Sequence, residues 1–306
     1  MASLVSRYLG IRFDMDYAFH LIVLISIYAI LAVSLDLLVG QTGLVSISQA
    51  AFYAAGAYIG AILAVGLRAP FLIEVLAAML GAALISLLVS IPSIHLRGDY
   101  FFIATFAFQL VVTSLLNNWV TVTRGPLGLA GISPVILFGV RIESSGKFAI
   151  LAVAATAISY VIVWRVVRSP FGRVMRAIRE DELFAQSLGK NTQGMKVIVV
   201  ALSAAFAAVG GCLYAHYMTY IDPTNFTFTE SLLILSMVVI GGAGSLIGPF
   251  VGAGVLVLLP EVLRLIGLPS NTAANIRQLF YGGLLVTLMF LRPRGFFGKY
   301  GFGRKT

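Results

Sequence analysis

The chain has 306 residues, of which 59% are hydrophobic and 11% charged, with a mean hydropathy of +0.99. A soluble domain carries roughly 25% charged residues, so this chain cannot cover itself with polar surface. The short alternating strands of a membrane β-barrel are also absent from it. The net charge of +9 would point to nucleic acid in a soluble protein. Here it fits basic loops held on the cytoplasmic side of a lipid bilayer, and no nucleic-acid partner is expected. The fold class that remains is an all-α polytopic membrane protein.

In chain order, Arg7, Arg12, Asp14 and Asp16 precede a first apolar run at residues 17–39. That run is too long for a signal-peptide core and reads as a retained first span. Further runs of near membrane length lie at 71–90, 100–116, 148–167, 195–217 and 276–291. Two more stretches, 40–65 and 231–260, are apolar but interrupted by glycine and small residues. The single cysteine, Cys212, excludes an intrachain disulfide and a multi-thiolate metal cluster.

Charge sets the expected orientation. Arg165, Arg168, Arg173, Arg176, Arg179, Lys190 and Lys196 crowd one central segment, and Arg292, Arg294, Lys299, Arg304 and Lys305 follow the last run. Both belong on the cytoplasmic side. Residues 218–230 have no Lys or Arg and read as external. Parity then requires 231–260 to cross twice, as two short segments or a re-entrant pair turning near 241–245. With a cytoplasmic N-terminus, 40–65 must also go in and come back out. The expectation is about ten membrane segments, with both termini cytoplasmic.

Breaks inside apolar segments free backbone groups that cost roughly 2–7 kcal/mol each in lipid unless they are satisfied. They persist only where buried in protein or lining a wet cavity. "GQTG" at 40–43 and "GGAGSLIGP" at 241–249 are therefore candidates for a translocation path, with Gln41, Thr42, Ser46, Gln49, Gly241, Gly242, Gly244 and Ser245 as its candidate lining. Both follow an apolar run with Gly-x-x-Gly, at Gly40/Gly43 and Gly241/Gly244, a candidate inverted repeat. Hydrogen bonding to neighbouring helices is the competing use for such polar residues, and close helix packing explains the Gly56–Gly60 and Gly252–Gly254 stretches. Asp36 and Glu74 lie near run ends, within reach of an interface. An ion-gradient-driven secondary transporter with broken helices is the alternative function, but such a carrier buries several acids or histidines as a relay. His20, His95 and His216 have no partners at ligand spacing, so neither a metal site nor a catalytic set is expected, and the chain is not read as an enzyme.

One charged segment interrupts this pattern. Ser169-Pro170 is a helix start, and Phe171, Val174, Met175 and Ile178 form a helical apolar stripe continued by Ala185 and Leu188. Asp181 is placed to cap a second short helix ending at Gly189. Three uses fit: a surface helix on anionic lipid, a solvated connector, or a helix in a protein groove. Arginines and acids mixed around an apolar stripe suit the groove, where apolar anchors give affinity and charges set register.

At this level "GRVMRAIREDELFAQSLGKNTQGMKVIVVALSAAFAAVGGCLYA" resembles the permease subunits of branched-chain amino-acid ABC importers. "LDLLVGQTGLVSISQAAFYAAGAY", "TRGPLGLAGI", "IGGAGSLIGPFVGA" and "LRPRGFFG" resemble the same family's motifs in the same order, over nearly the whole chain. Where the family often has Gly-His, this chain has Ser48-Gln49. The resemblance implies a fold like the type II importer permeases, a single permease domain over 1–306, and a coupling loop at 168–194 that docks on ATPase subunits. Phe171, Val174, Arg176, Ile178, Arg179, Glu182, Ala185 and Gly189 are the candidate coupling residues. It also implies two ATPases that bind ATP-Mg, a second homologous permease and a periplasmic or extracellular substrate-binding protein, in a bacterial or archaeal cytoplasmic membrane. The transported solute would be leucine, isoleucine, valine or a related small amide. The chain has no Gly-x-x-x-x-Gly-Lys-Ser/Thr phosphate loop, so no cofactor is expected in it.

Overall fold

The structure is a computed structural model that describes residues 15–93, 99–137, 140–142, 144–265, 283 and 297. Helix α1 (Met15–Asp36) runs on through a π-helical turn, Leu37–Thr42. An extended stretch follows, then α2 (Gln49–Gly66), α3 (Phe71–Ser93), α4 (Asp99–Asn118) and the short α5 (Val120–Thr123). Three short strands, β1 (Leu129–Ala130), β2 (Val135–Leu137) and β3 (Val140–Ile142), precede α6 (Ser145–Arg168). Helices α7 (Pro170–Glu180) and α8 (Glu182–Ser187) form the charged loop. Then come α9 (Thr192–Met218), β4 (Tyr220–Ile221), α10 (Phe228–Gly241) and α11 (Gly248–Leu265).

Among the described residues, six helical stretches are long and apolar enough to cross a membrane: Met15–Thr42, Gln49–Gly66, Phe71–Ser93, Tyr100–Asn118, Ser145–Arg168 and Thr192–Met218. Two shorter apolar helices cover Phe228–Gly241 and Gly248–Glu261. The apolar windows of α1, α2 and α9 are 78%, 67% and 72% buried, against 28% or less in α3, α4 and α6. The first three therefore make the core, and the others turn apolar faces outward. On α3 that face is a row at every fourth residue, Leu72, Leu76, Leu80, Leu84 and Leu88, all exposed. Apart from Gly283, the run at 276–291 lies outside the described residues.

Small residues set the core's spacing. A Cβ on Gly56 would lie 2.3 Å from the Ala208 backbone, and one on Gly211 would lie 2.1 Å from the Tyr53 carbonyl oxygen. Backbones this close are how helices gain packing energy where lipid supplies no hydrophobic drive between them. The α10–α11 hairpin uses the same device, Gly252 against the Met237 carbonyl. It matches the pair of short segments that parity demanded of 231–260.

The other parity expectation is corrected. Residues 40–65 do not cross twice; they hold a turn, an extended stretch and the single helix α2. The end of α1 meets α7, where Arg179 donates to the Gly40 carbonyl. Near its start, His20 lies 2.7 Å from the Tyr217 hydroxyl at the far end of α9. Met15 therefore sits at the end opposite α7–α8, not on the same side. Phe297, whose N–H donates to the Gly241 carbonyl at 3.0 Å, lies at the α7–α8 side of the α10–α11 hairpin. The strands, which the apolar pattern did not announce, pair antiparallel as β1 with β4 and β2 with β3. They cover the end opposite α7–α8, where β4 follows directly from α9.

The α2–α9 seam yields a direct check. Gly56→Ala forces two backbones apart and is expected to cost about 1–3 kcal/mol, read as a lower melting temperature in detergent. Gly254→Ala, whose added methyl meets nothing within 4 Å, is expected to leave the melting temperature unchanged or raise it.

Candidate functional site

The two glycine breaks, 201 residues apart by Gly40 and Gly241 in the chain, lie side by side. The π-helical turn brings Asp36, Gly40 and Gln41 onto one side of the end of α1. The Asp36 carboxylate Oδ1 accepts from the Gly244 N–H at 2.8 Å. Gln41 Nε2 donates to the Gly244 carbonyl at 3.2 Å and to Asp36 Oδ2 at 3.4 Å. Both backbone groups of Gly244 are thus satisfied by side chains from the first break. Gly244 has φ +81, a left-handed conformation that glycine adopts without strain. Gly40 must also lack a side chain, because a Cβ there would fall 1.9 Å from Asp36 Oδ1 and 2.3 Å from Gly244 N.

The sequence places Asp36 within reach of an interface. The residue is instead fully buried and clamps one break to the other. No motif flagged it, although an acid four residues before Gly40 is a signal that helical spacing could have supplied.

Arg179 of α7 donates to the Gly40 carbonyl, an orphan acceptor at a broken helix end. The charged loop is thereby attached to the clamp. Arg176 secures the α6–α7 corner by donating to the Val167 carbonyl at 3.2 Å. Asp181 caps α8 as expected, accepting from the Phe184 N–H at 3.0 Å. Ser169 does not cap α7; its hydroxyl donates back to the Val166 carbonyl at 2.7 Å. Glu182 pairs with Lys196 Nζ at 2.6 Å, and Thr192 bridges Glu182 and Gln186. Helix α8 is thereby tied to the start of α9.

The expected docking stripe is corrected by burial. Met175, Ile178 and Ala185 are buried within this chain, and Phe171 is half-buried against the same core. Their periodicity reports packing under the membrane domain rather than a surface for a partner. Val174 is half-buried and Gly189 is exposed. The large apolar side chains the loop does present are Leu183, Phe184 and Leu188, 58–64% exposed. Of these, only Leu188 belonged to the stripe.

The candidate path residues divide. Gln41, Gly244 and Ser245 line a cavity of about 590 Å³ between α6, α7 and the 242–247 turn, with Tyr160, Trp164 and Arg168 on its wall. Thr42, Ser46 and Gln49 do not line it. Thr42 donates to the Leu37 carbonyl at 2.7 Å, Ser46 pairs with Ser48 at 3.0 Å, and Gln49 Nε2 donates to Ser34 at 2.6 Å. These are internal bonds of the core. Gly241 packs on the Gly248 carbonyl, and Gly242 turns the chain with φ +107.

The start of α2 shows the same economy. The Ala50 N–H is taken by Ser231 at 2.9 Å, that of Ala51 by Gln109 at 2.8 Å and that of Ile47 by Thr105 at 3.2 Å. His216 and Glu74 also depart from expectation. They are both buried and in contact at 2.6 Å, with Cys212 beside them. Their 142-residue separation hid the pair from any spacing rule.

Residues 17–289 match the family described as branched-chain amino acid transport system / permease component. The chain is 33% identical, over 88% of its length and 67% of the relative's, to the high-affinity branched-chain amino acid transport system permease protein LivM of Escherichia coli K12. It is 26% identical to the probable branched-chain amino acid transport permease protein LivM of Methanocaldococcus jannaschii, over 76% of this chain and 69% of that one. To the permease protein LivH of Escherichia coli K12 it is 25% identical, over 92% and 94% of the two chains. No solved structure matches. A helical membrane core with two clamped helix breaks, matched over this span, belongs to the branched-chain amino acid transport permease family, and the chain is a multi-pass permease subunit of that family.

Proposed function

We propose that the chain forms half of the translocation path of an ATP-driven importer for branched-chain amino acids or related small amides. In this reading a second, homologous permease completes the path and an external substrate-binding protein delivers the solute. Two partner ATPase subunits bind ATP-Mg and drive the cycle, and residues 168–194 act as the coupling loop of one permease domain. The α7–α8 end faces the cytoplasm of a bacterial or archaeal cell, consistent with its seven basic residues from Arg165 to Lys196. The start of α1 is then external.

The observation that carries this reading is the two-sided construction of the loop. Its outward tip, Leu183, Phe184 and Leu188, offers apolar anchors for a partner. Its inward side reaches both helix breaks through Arg179, Gly40 and the Asp36–Gly244 bond. Movement of the tip is thereby passed to the 242–247 turn and the cavity it lines. The chain makes and breaks no covalent bond in this scheme.

Replacing Leu183, Phe184 and Leu188 together by serine is expected to abolish co-purification of the ATPases in mild detergent, while the variant still inserts and elutes as a folded permease. Undiminished co-purification would sink the docking assignment. Ile178→Asp should act differently: it buries an unpaired carboxylate and lowers the yield of folded protein.

Arg179→Ala is expected to leave the assembled complex hydrolysing ATP while solute uptake falls roughly tenfold or more, the scale of a lost charge-assisted hydrogen bond of about 1.5–3 kcal/mol. Uptake and hydrolysis falling in proportion would remove Arg179 from the coupling route. Uptake that survives ATP depletion with the ion gradient held would overturn the ATP-driven reading itself.

A further inference from the structure

We propose that Glu74, Cys212 and His216 form a three-ligand site for a soft divalent cation of the Zn²⁺ type, reached from the end of the bundle opposite α7–α8. Cys212 and His216 are one turn apart on α9, and Glu74 projects from the first turn of α3. All three are buried, with Cys212, His216 and Glu74 being 0%, 4% and 2% exposed. Their ligand atoms lie within 4.8 Å of one another.

Hydrogen-bond geometry fixes which ring nitrogen His216 presents to Glu74. His216 Nδ1 lies 2.9 Å from the Ser133 carbonyl oxygen. A carbonyl only accepts, so Nδ1 carries the hydrogen. The other ring nitrogen, Nε2, lies 2.6 Å from Glu74 Oε2. At that distance one shared proton lies between the imidazole nitrogen and the carboxylate oxygen, and a metal cation would take that proton's place. An imidazole oriented by a carbonyl on one nitrogen, with its second nitrogen presented to a cation, is the arrangement metal-binding histidines use.

The third group favours a metal over a proton. A shared proton needs only His216 and Glu74, whereas Cys212 adds a sulfur donor. A nitrogen, oxygen and sulfur set with one open position is what Zn²⁺ accepts. Glu74 and His216, but not Cys212, line a cavity of about 530 Å³ whose wall also carries Arg68 and Arg141; in this proposal it is the route by which an ion and a completing water enter. Bond lengths of about 2.0–2.3 Å imply ligand separations of roughly 3.4–3.6 Å in a tetrahedral site. Binding therefore displaces the shared proton, opens the His216–Glu74 contact by roughly 0.8 Å and brings Cys212 to bonding distance, tying α3 to α9.

The test uses the full-length chain in detergent, stripped with chelator and titrated with Co²⁺. Cys212 is the only cysteine, so a thiolate-to-cobalt charge-transfer band has one source. The expected result is one Co²⁺ per chain with that band, displaced by Zn²⁺. The band is lost in Cys212→Ser, and affinity falls at least tenfold in Glu74→Gln. The amide introduced by Glu74→Gln can donate to His216 Nε2, so a neutral pair persists and the fold is kept, as checked by unchanged elution. Absence of Co²⁺ binding to the native chain, or binding without the band, would overturn the proposal and leave only a shared proton. Equal affinity in Glu74→Gln would do the same.

Discussion

Lipid offers no hydrogen bonds, and this chain interrupts its helices inside it. Each interruption leaves N–H and C=O groups that must find partners within the protein. Much of the polar chemistry in the core answers that demand. Asp36 and Gln41 take the two backbone groups of Gly244. Ser231, Gln109 and Thr105 take the donors at and before the start of α2. Arg179 takes the Gly40 carbonyl. The partner is repeatedly a side chain from a different helix, so the cost of a break is offset by a bond that holds two elements together. The breaks are for that reason the places where the loop, α1 and the α10–α11 hairpin are joined.

This division also explains why the charged loop is charged. Its buried side, Met175, Ile178 and Ala185, is an extension of the membrane core. Two of its arginines, Arg179 and Arg176, serve the backbone, at Gly40 and Val167. Its acids serve the loop's own shape, Asp181 as a cap and Glu182 as an anchor to Lys196. The large apolar side chains it leaves exposed are Leu183, Phe184 and Leu188. A segment read only by the sign of its charges would miss that several of them face inward.

Much of the fold was legible because hydropathy and glycine act locally. The runs at 17–39, 71–90, 100–116, 148–167 and 195–217 correspond to α1, α3, α4, α6 and α9, and the 231–260 pair and the two-helix loop were also foreseen. The crossing number of 40–65 was not legible, because a π-helical turn plus an extended stretch has the composition of two short spans. The site was half legible. Gly-x-x-Gly named both breaks, but nothing local shows that Asp36 would meet Gly244 or that Glu74 would meet His216. Those contacts depend on how distant helices pack. An apolar stripe such as Met175–Ile178 likewise looks the same whether it faces its own core or another protein.

Helix α9 runs 27 residues without a break, from the salt bridge at Lys196 to the strand that follows Met218. At 1.5 Å per residue it is about 40 Å long, so a tilt of about 5° pivoting at the loop end moves its far end by roughly 3.5 Å. Glycines on both helices, Gly56 and Gly60 of α2 and Gly211 of α9, bring it into close contact with α2. The helix is in effect a rigid lever across the whole bilayer. A displacement too small to rearrange the loop itself would be enlarged at the opposite face, where His216 meets α3 and the short strands close over the bundle.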